Sequence, residues 1–174
     1  MNVLVCGESP EEIWSANYDA WMSRLGHANV RIEPQNCNPL LFCEYREVES
    51  ASWKADKVIR AVKDKLSESI YEDIYKGALS QDKYRADKIY RFLILAFHYG
   101  RNVMQMLAME PVLELYNMNK NLGFELEHMK GFTRFAETKE GILLGKIGPK
   151  NDLTILLAAF FADRLSGENW ILYD

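Results

Sequence analysis

Leu126-Glu127-His128-Met129-Lys130-Gly131-Phe132-Thr133-Arg134-Phe135 is where the periodicity of the chain changes. Upstream of it, Glu110-Pro111 opens a long helix, and Val112, Leu115, Tyr116, Leu122, Leu126 and Met129 fall on one stripe at helical spacing. Downstream, 132–138 and 142–147 are short runs flanking Lys139-Glu140-Gly141, a hairpin signal with Gly in the loop. Gly131 is the expected residue just past the helix end. After Gly148-Pro149, Asn151 or Asp152 is expected to cap a helix that buries Leu153, Leu156, Leu157, Phe160 and Phe161. Gly167 then separates that helix from a last strand, 170–173. The switch of period predicts one sheet made of the hairpin and the last strand, with the helix over 152–165 packed on it. Phe160 and Leu157 are the expected core residues of that helix.

Working outward, residues 2–6 form a short apolar run that reads as a strand. Gly7-Glu8-Ser9-Pro10 turns into a helix, with Ser9 as N-cap, Pro10 in the first turn and Glu12 closing a capping box. Ile13, Ala16, Asn17, Ala20, Trp21 and Leu25 follow at helical spacing, and Gly26 stops them. The turn-rich stretch 27–43 holds a brief strand at 30–32, and 40–48 reads as another strand. From Ser52 the chain becomes helical. Ala55, Val58, Ile59, Val62 and Leu66 form one stripe, with Lys54, Lys57, Arg60 and Lys63 on the other side. A second helix is expected from Ser69, with Glu72 in a capping box, burying Ile70, Ile74 and Ala78. A third, capped by 80–82, turns Ile89, Leu93, Ala96 and Phe97 inward up to Gly100, and 101–108 is a short helical piece. The expected class is α+β: an N-terminal strand–helix, a helical middle and a C-terminal β-hairpin–helix–strand. The expected organisation is a single domain over 1–174, with 1–50 and 126–174 supplying the sheet part and 52–130 the helical part.

A chain of 174 residues can remove about 70% of its surface from water on folding and needs no staples. With 48% hydrophobic and 26% charged residues the composition is that of an ordinary globular protein. No apolar run approaches the roughly 20 residues that span a membrane, so no membrane partner is expected. The three cysteines are odd in number and not spaced as zinc or iron–sulfur ligands, which points to a reduced, cytoplasmic protein without a metal or other cofactor. The net charge of −4 argues against a tightly held nucleic-acid coat, while leaving room for one local basic face.

Candidate chemistry gathers around the hairpin. Lys130, Arg134, Lys146, Lys150 and Arg164 are interleaved with Phe132, Phe135 and Trp170. Nucleic-acid surfaces use that mixture, with cations on phosphates and rings under bases. Lys130, Arg134, Arg164 and Trp170 are therefore the candidate nucleic-acid contacts. The competing account is a solvated basic face over an aromatic core. His128 and Asp163 are the candidate acid–base pair, against a reading of His128 as a histidine placed to suit a helix C-terminus. Gly7-Glu8-Ser9-Pro10 has a superficial likeness to the Gly-Glu-Ala-Pro-Gly loop of uracil-DNA glycosylases. Glu11 stands where that loop has its second Gly, and the reading here is a strand-to-helix turn with a capping box.

Three blocks, 127–135, Phe161-Ala162-Asp163-Arg164 and 169–174, together with the opening Val3-Leu4-Val5-Cys6-Gly7-Glu8-Ser9-Pro10, carry a family resemblance. The chain resembles a bacterial family of uncharacterised proteins assigned to DNA metabolism and DNA repair, a domain of unknown function. Its members occur beside a radical-SAM protein, and some are fused ahead of a uracil-DNA-glycosylase-like domain. The resemblance implies DNA, a radical-SAM protein or a glycosylase-like protein as partner, and no catalytic residue carries over with it. Members tend to have Pro-His before Phe161, where this chain has Ala159-Phe160. No Cys-x-x-x-Cys-x-x-Cys is present, so the chain is not itself a radical-SAM enzyme. Three readings stay open: an accessory or DNA-binding protein, a nucleic-acid-processing enzyme, and a protein-interaction domain without DNA contact.

Overall fold

Two small sheets stand at opposite ends of the chain order, with a helical middle between them. The computed structural model describes residues 1–174. β1 (Asn2–Cys6) leads into α1 (Pro10–Met22), β2 (Val30–Pro34) and β3 (Glu44–Glu47). The helices α2 (Ser52–Lys65), α3 (Glu68–Ala78), α4 (Arg85–Tyr99) and α5 (Glu110–Phe132) follow. The chain closes with β4 (Phe135–Glu137), β5 (Leu143–Lys146), α6 (Thr154–Arg164) and β6 (Trp170–Tyr173). The fold is α+β, with the expected strand–helix start and hairpin–helix–strand finish. The strands of 1–50 and of 126–174 do not share a sheet: one has the order β2-β1-β3, the other β4-β5-β6.

In the first sheet all three strands are parallel, with Leu4 opposite Ile32 on one side and Arg46 on the other. Parallel strands need a crossover, which α1 provides between β1 and β2. Ser9 accepts from the Glu12 amide while the Glu12 carboxylate accepts from the Ser9 amide and hydroxyl, so the capping box forms as expected. The edge of β2 is covered rather than open. Asp87 of α4 accepts the Ile32 N–H at 2.9 Å, and Arg91 donates to the His27 carbonyl at 2.6 Å. A side chain that takes up a free ladder donor removes a template for unwanted pairing. Behind this sheet lies the main core of 24 buried residues, among them Ile13, Ile32, Ile74, Tyr90, Phe92 and Leu115.

The second sheet pairs β4 antiparallel and β6 parallel to β5, as the hairpin and last strand predict. Phe135 faces Gly145 across the ladder, and a Cβ on Gly145 would lie 2.6 Å from the Phe135 ring. Glycine at this position is what lets that ring turn in and meet Phe161 edge to face at 5.0 Å. A second core of six buried residues lies here: Leu79, Leu122, Ile147, Leu153, Leu157 and Phe161.

Several local expectations are corrected. Gly131 does not end α5. The helix runs to Phe132, and Thr133 terminates it by turning to extended backbone while its hydroxyl bonds the Met129 carbonyl at 2.7 Å. Phe160 is half-buried and Phe161 takes the core place, because the inward row of α6 is Leu153, Leu157, Phe161 at four-residue spacing. Neither Asn151 nor Asp152 caps α6. Leu153 is the N-cap residue and makes no side-chain cap, while Asn151 is buried in a network described below. The α3 cap is Ser67, which accepts from the Ile70 amide, so the helix begins before Ser69. Tyr84, rather than a residue of 80–82, is the N-cap residue of α4, although Asp82 accepts its N–H at 2.8 Å. The strand expected over 40–48 shortens to β3.

Candidate nucleic-acid interface

The last two turns of α5 and the residues after them bring part of the expected set together. Lys130 has two neighbours: it binds Glu127 at 2.8 Å, and its ammonium sits 5.1 Å from the centre of the Phe160 ring. That second contact joins α5 to α6, and Arg164 lies one helical turn beyond Phe160 on α6. Arg164 is exposed and has no carboxylate partner. Arg134 donates to the Gly131 carbonyl at 3.0 Å and the Thr133 carbonyl at 3.4 Å. A cation on the free carbonyls of a helix C-terminus meets both their unmet acceptors and the negative end of the dipole. Arg134 thus has a structural task that uses one of its guanidinium nitrogens and leaves the rest facing solvent. Trp170 is half-buried against the second core, so its ring is committed to packing.

His128 and Asp163 are both exposed and are not linked by a hydrogen bond or an ion pair. The His128 ring instead stacks on Phe132, with centroids 4.4 Å apart and planes at 26°. No group of three or more His, Cys, Asp or Glu side chains comes together in a way that could hold a metal. No helix is long and apolar enough to cross a membrane.

The structure adds a feature that the sequence reading did not single out. Tyr116, Lys120, Phe124, His128 and Phe132 recur every four residues along α5 and form a solvent-facing row. Phe124 is 67% and Phe132 65% exposed, and the Lys120 ammonium lies 5.8 Å from the Phe124 ring centre. Large rings left in water on a helix are unusual enough to ask what covers them. The signal was available as an i, i+4 spacing. It was hidden because the spacing also places Tyr116 on the apolar stripe of the same helix; the structure corrects that expectation, since Tyr116 is 43% exposed and the buried row is Val112, Leu115, Met118 and Leu122.

A polar cleft of about 370 Å³ lies elsewhere, between the turn after β1, the α3–α4 turn and residues 150–152. Lys83, Arg85 and Lys150 line it, together with the Ser9 and Ser80 hydroxyls and the acids Glu8 and Asp152. Arg85 is tied down by the carbonyls of Ala78 at 3.0 Å, Asp82 at 3.2 Å and Glu8 at 2.9 Å, which makes it a brace. Lys83 has no carboxylate partner; its ammonium lies 4.6 Å from the Tyr84 ring centre, and Tyr84 holds its pKa above the usual lysine value. Beneath the same turn the Cys6 thiol is pushed up to about 12 by burial, reinforced by the Glu12 charge, so it is inert as a nucleophile.

Below this cleft the C-terminal region is fastened to the helical middle. Glu125 of α5 accepts from the Lys150 amide at 2.8 Å and the Asn151 amide at 2.9 Å, and also from the Asn151 side chain. Asn151 in turn accepts the Gln81 N–H at 2.9 Å, and the Asp152 amide donates to the Leu79 carbonyl at 2.9 Å. Burial by itself would raise the Glu125 pKa, but these three donors outweigh it and hold the carboxyl below the usual glutamate range.

No curated protein and no solved structure matches this chain. Residues 83–174, from the turn before α4 to the final strand and more than half of the chain, match the model of DUF4130, a domain of unknown function. The interface just described, the row on α5 and the second sheet all lie inside that stretch, and the chain belongs to the DUF4130 family.

Proposed function

We propose that this protein is a cytoplasmic DNA-metabolism and repair protein of the accessory kind, which contacts DNA through the face formed by the end of α5 and by α6. In this reading it works beside a radical-SAM or uracil-DNA-glycosylase-like protein, as the family resemblance implies. The observation that carries the DNA contact is the combination on one helix of exposed rings and cations. Phe124, the stacked His128–Phe132 pair and Lys120 run along α5, and Lys130 and Arg134 stand at its end. Rings of this kind stack on bases of any sequence, and the cations meet phosphates. The acidic total charge limits the contact to this face and favours a modest, salt-sensitive affinity.

His128 and Asp163 enter this reading as surface residues rather than as an acid–base pair, since His128 stacks on Phe132 and the two share no bond. The test is fluorescence anisotropy with labelled single-stranded and duplex oligonucleotides across a salt series. The wild type is expected to bind with an affinity that falls as salt rises, by roughly 0.7–0.9 log units per phosphate contact per log unit of salt. Lys130→Ala with Arg134→Ala should flatten that slope. Phe132→Ala should weaken single-strand binding without changing the slope. A wild type with no salt-dependent affinity for either form would leave the row on α5 as a protein-docking surface and end the DNA reading.

A further inference from the structure

The parallel sheet has two edges, and they are finished differently. On β2 the outward ladder groups are taken up by side chains of α4, Asp87 at the Ile32 N–H and Arg91 at the Val30 carbonyl. On β3 nothing of the kind is present. The Glu44 N–H donates to the Met1 carbonyl at 3.0 Å and the Val48 N–H to the Val5 carbonyl at 2.9 Å, so the even-numbered residues bond to β1. By alternation the N–H and C=O groups of Tyr45 and Glu47 point away from β1, and no strand pairs with β3 on that side. All four residues of β3 are exposed, although parallel sheets are as a rule covered on both faces. The loop before it carries Leu41 and Phe42, 85% and 98% exposed, with Phe42 at φ 60, where bulky side chains are rarely found.

An open edge is a template for pairing, and charges on it restrict which strand can add. Glu44, Arg46 and Glu47 have no ion-pair partner within the chain. Two copies that meet across a two-fold axis pair their β3 strands antiparallel. With the axis at Tyr45, this residue and the partner's Tyr45 exchange both N–H···O bonds. Glu44 then stands opposite the partner's Arg46, and Arg46 opposite the partner's Glu44. Opposite charges directly across a ladder attract, and like charges repel. The other registers that keep outward-facing residues opposite each other are worse. An axis at Glu44 or Glu47 sets two glutamates face to face, and an axis at Arg46 sets two arginines face to face. The antiparallel sense also carries the exposed Phe42 toward the partner's Val48.

We infer that two copies of this chain join antiparallel along β3, with Tyr45 on the two-fold axis, so that two three-stranded sheets become one continuous sheet. With only four residues of strand from each copy, the dimer is weak and reversible. β3 precedes the stretch that matches the DUF4130 model and shares no residue with the α5–α6 face, so the inference stands apart from the function proposed above.

Sedimentation equilibrium on the full chain, up to about 1 mM, tests it. The wild type should pass reversibly from monomer to dimer. Glu44→Arg turns both cross-strand pairs into arginine against arginine. It should raise the dissociation constant at least tenfold and leave the melting temperature of the monomer unchanged, since the position is exposed. Adding Arg46→Glu exchanges the two charges and should restore the wild-type constant to within about threefold. The register is read by cross-linking in a Cys37→Ser, Cys43→Ser background. Tyr45→Cys should give a disulfide-linked dimer, because the Cα atoms of a hydrogen-bonded pair stand about 5.5 Å apart, within reach of a disulfide. Glu47→Cys should not, because the two copies of that position lie four residues out of step, about 13 Å apart. A chain that is monomeric at about 1 mM overturns the inference. So does a dimer that tolerates Glu44→Arg or is not restored by the exchange, and so does a folded Tyr45→Cys variant that links no better than Glu47→Cys.

Discussion

The two sheets of this protein reach stability by different routes. The parallel sheet β2-β1-β3 is backed by helices from the first hundred residues and belongs to a core of 24 buried residues, with even the edge of β2 covered by Asp87. The sheet β4-β5-β6 leans on one eleven-residue helix and a core of six. What the smaller region lacks in buried area it makes up in polar fastenings: the Glu125–Asn151–Gln81 network and the bond from Asp152 to the Leu79 carbonyl. Burial is non-directional and acts on the whole. A hydrogen-bond network acts at one place and fixes how one part sits on another. The regions should therefore fail differently when cut.

The largest effect is expected in the main core. Phe92 is fully buried on α4, and Phe92→Ala should destabilise the whole chain by about 4 kcal/mol, through the lost transfer energy and the cavity left behind. A denaturant midpoint that stays put would remove this core as the seat of stability. Phe161→Ala, in the small core, should cost about 3 kcal/mol. Its signature is more telling than its size. Hydrogen exchange should lose protection across 135–173 while α1 to α4 stay protected, as expected of a locally opening unit. Equal loss of protection in both regions would show that they unfold as one.

Glu125→Gln comes next, at about 2 kcal/mol, the scale of hydrogen bonds to a charged group. It also has a pH signature. The Glu125 carboxyl titrates below its ordinary value of about 4.5 in the folded state. Its contribution is thus fully present above that value and is lost as pH falls through the lower, folded pKa. The acid limb of a stability–pH profile should be shallower in the variant than in the wild type. Equal limbs would mean that the carboxylate does no fastening. The Glu12 carboxyl, held low by the Ser9 hydroxyl and amide, has the same sign and remains in both proteins.

Much of this was legible in the sequence, for reasons particular to each element. Ser9-Pro10-Glu11-Glu12 announces its helix because every contact of a capping box lies within four residues. The change of period after α5 announces the hairpin because strand and helix put their apolar residues at different intervals. What stayed hidden depends on contacts between distant residues. Phe160 and Phe161 are adjacent and chemically identical, and each continues an apolar row, Phe160 with Leu156 and Phe161 with Leu153 and Leu157; which row turns inward is settled by packing in the small core, not by local spacing. Asn151 looked like a cap because Asn favours caps, yet its partners are 26 and 70 residues away. That the strands of the two ends form two sheets is likewise a long-range fact. Of the candidate interface, the sequence marked Lys130, Arg134 and Arg164, but not that Arg134 braces a helix end or that Phe124 stands in solvent.

The smallest effects sharpen the comparison most finely, at the starts of two helices. α1 begins on a side-chain cap and α6 does not. At α1 the Ser9 hydroxyl takes the Glu12 amide at 3.3 Å, an orphan donor that the helix itself cannot satisfy. Ser9→Ala removes that acceptor and loosens the Glu12 carboxylate, which also bonds the Ser9 hydroxyl at 2.6 Å. The expected cost is about 1 kcal/mol. At α6 the residue before the N-cap, Asp152, is exposed, and only its backbone is engaged, through the amide bond to Leu79. Asp152→Ala keeps that amide and should change stability by less than about 0.5 kcal/mol. The pair thus separates a helix started by its own sequence from one started by what it is fastened to. Thermal melts of the two variants decide it. A loss at Asp152 as large as at Ser9 would mean that α6 is capped by that carboxylate after all, and the small region would then owe less to its fastenings than the geometry of Glu125 and Asn151 implies.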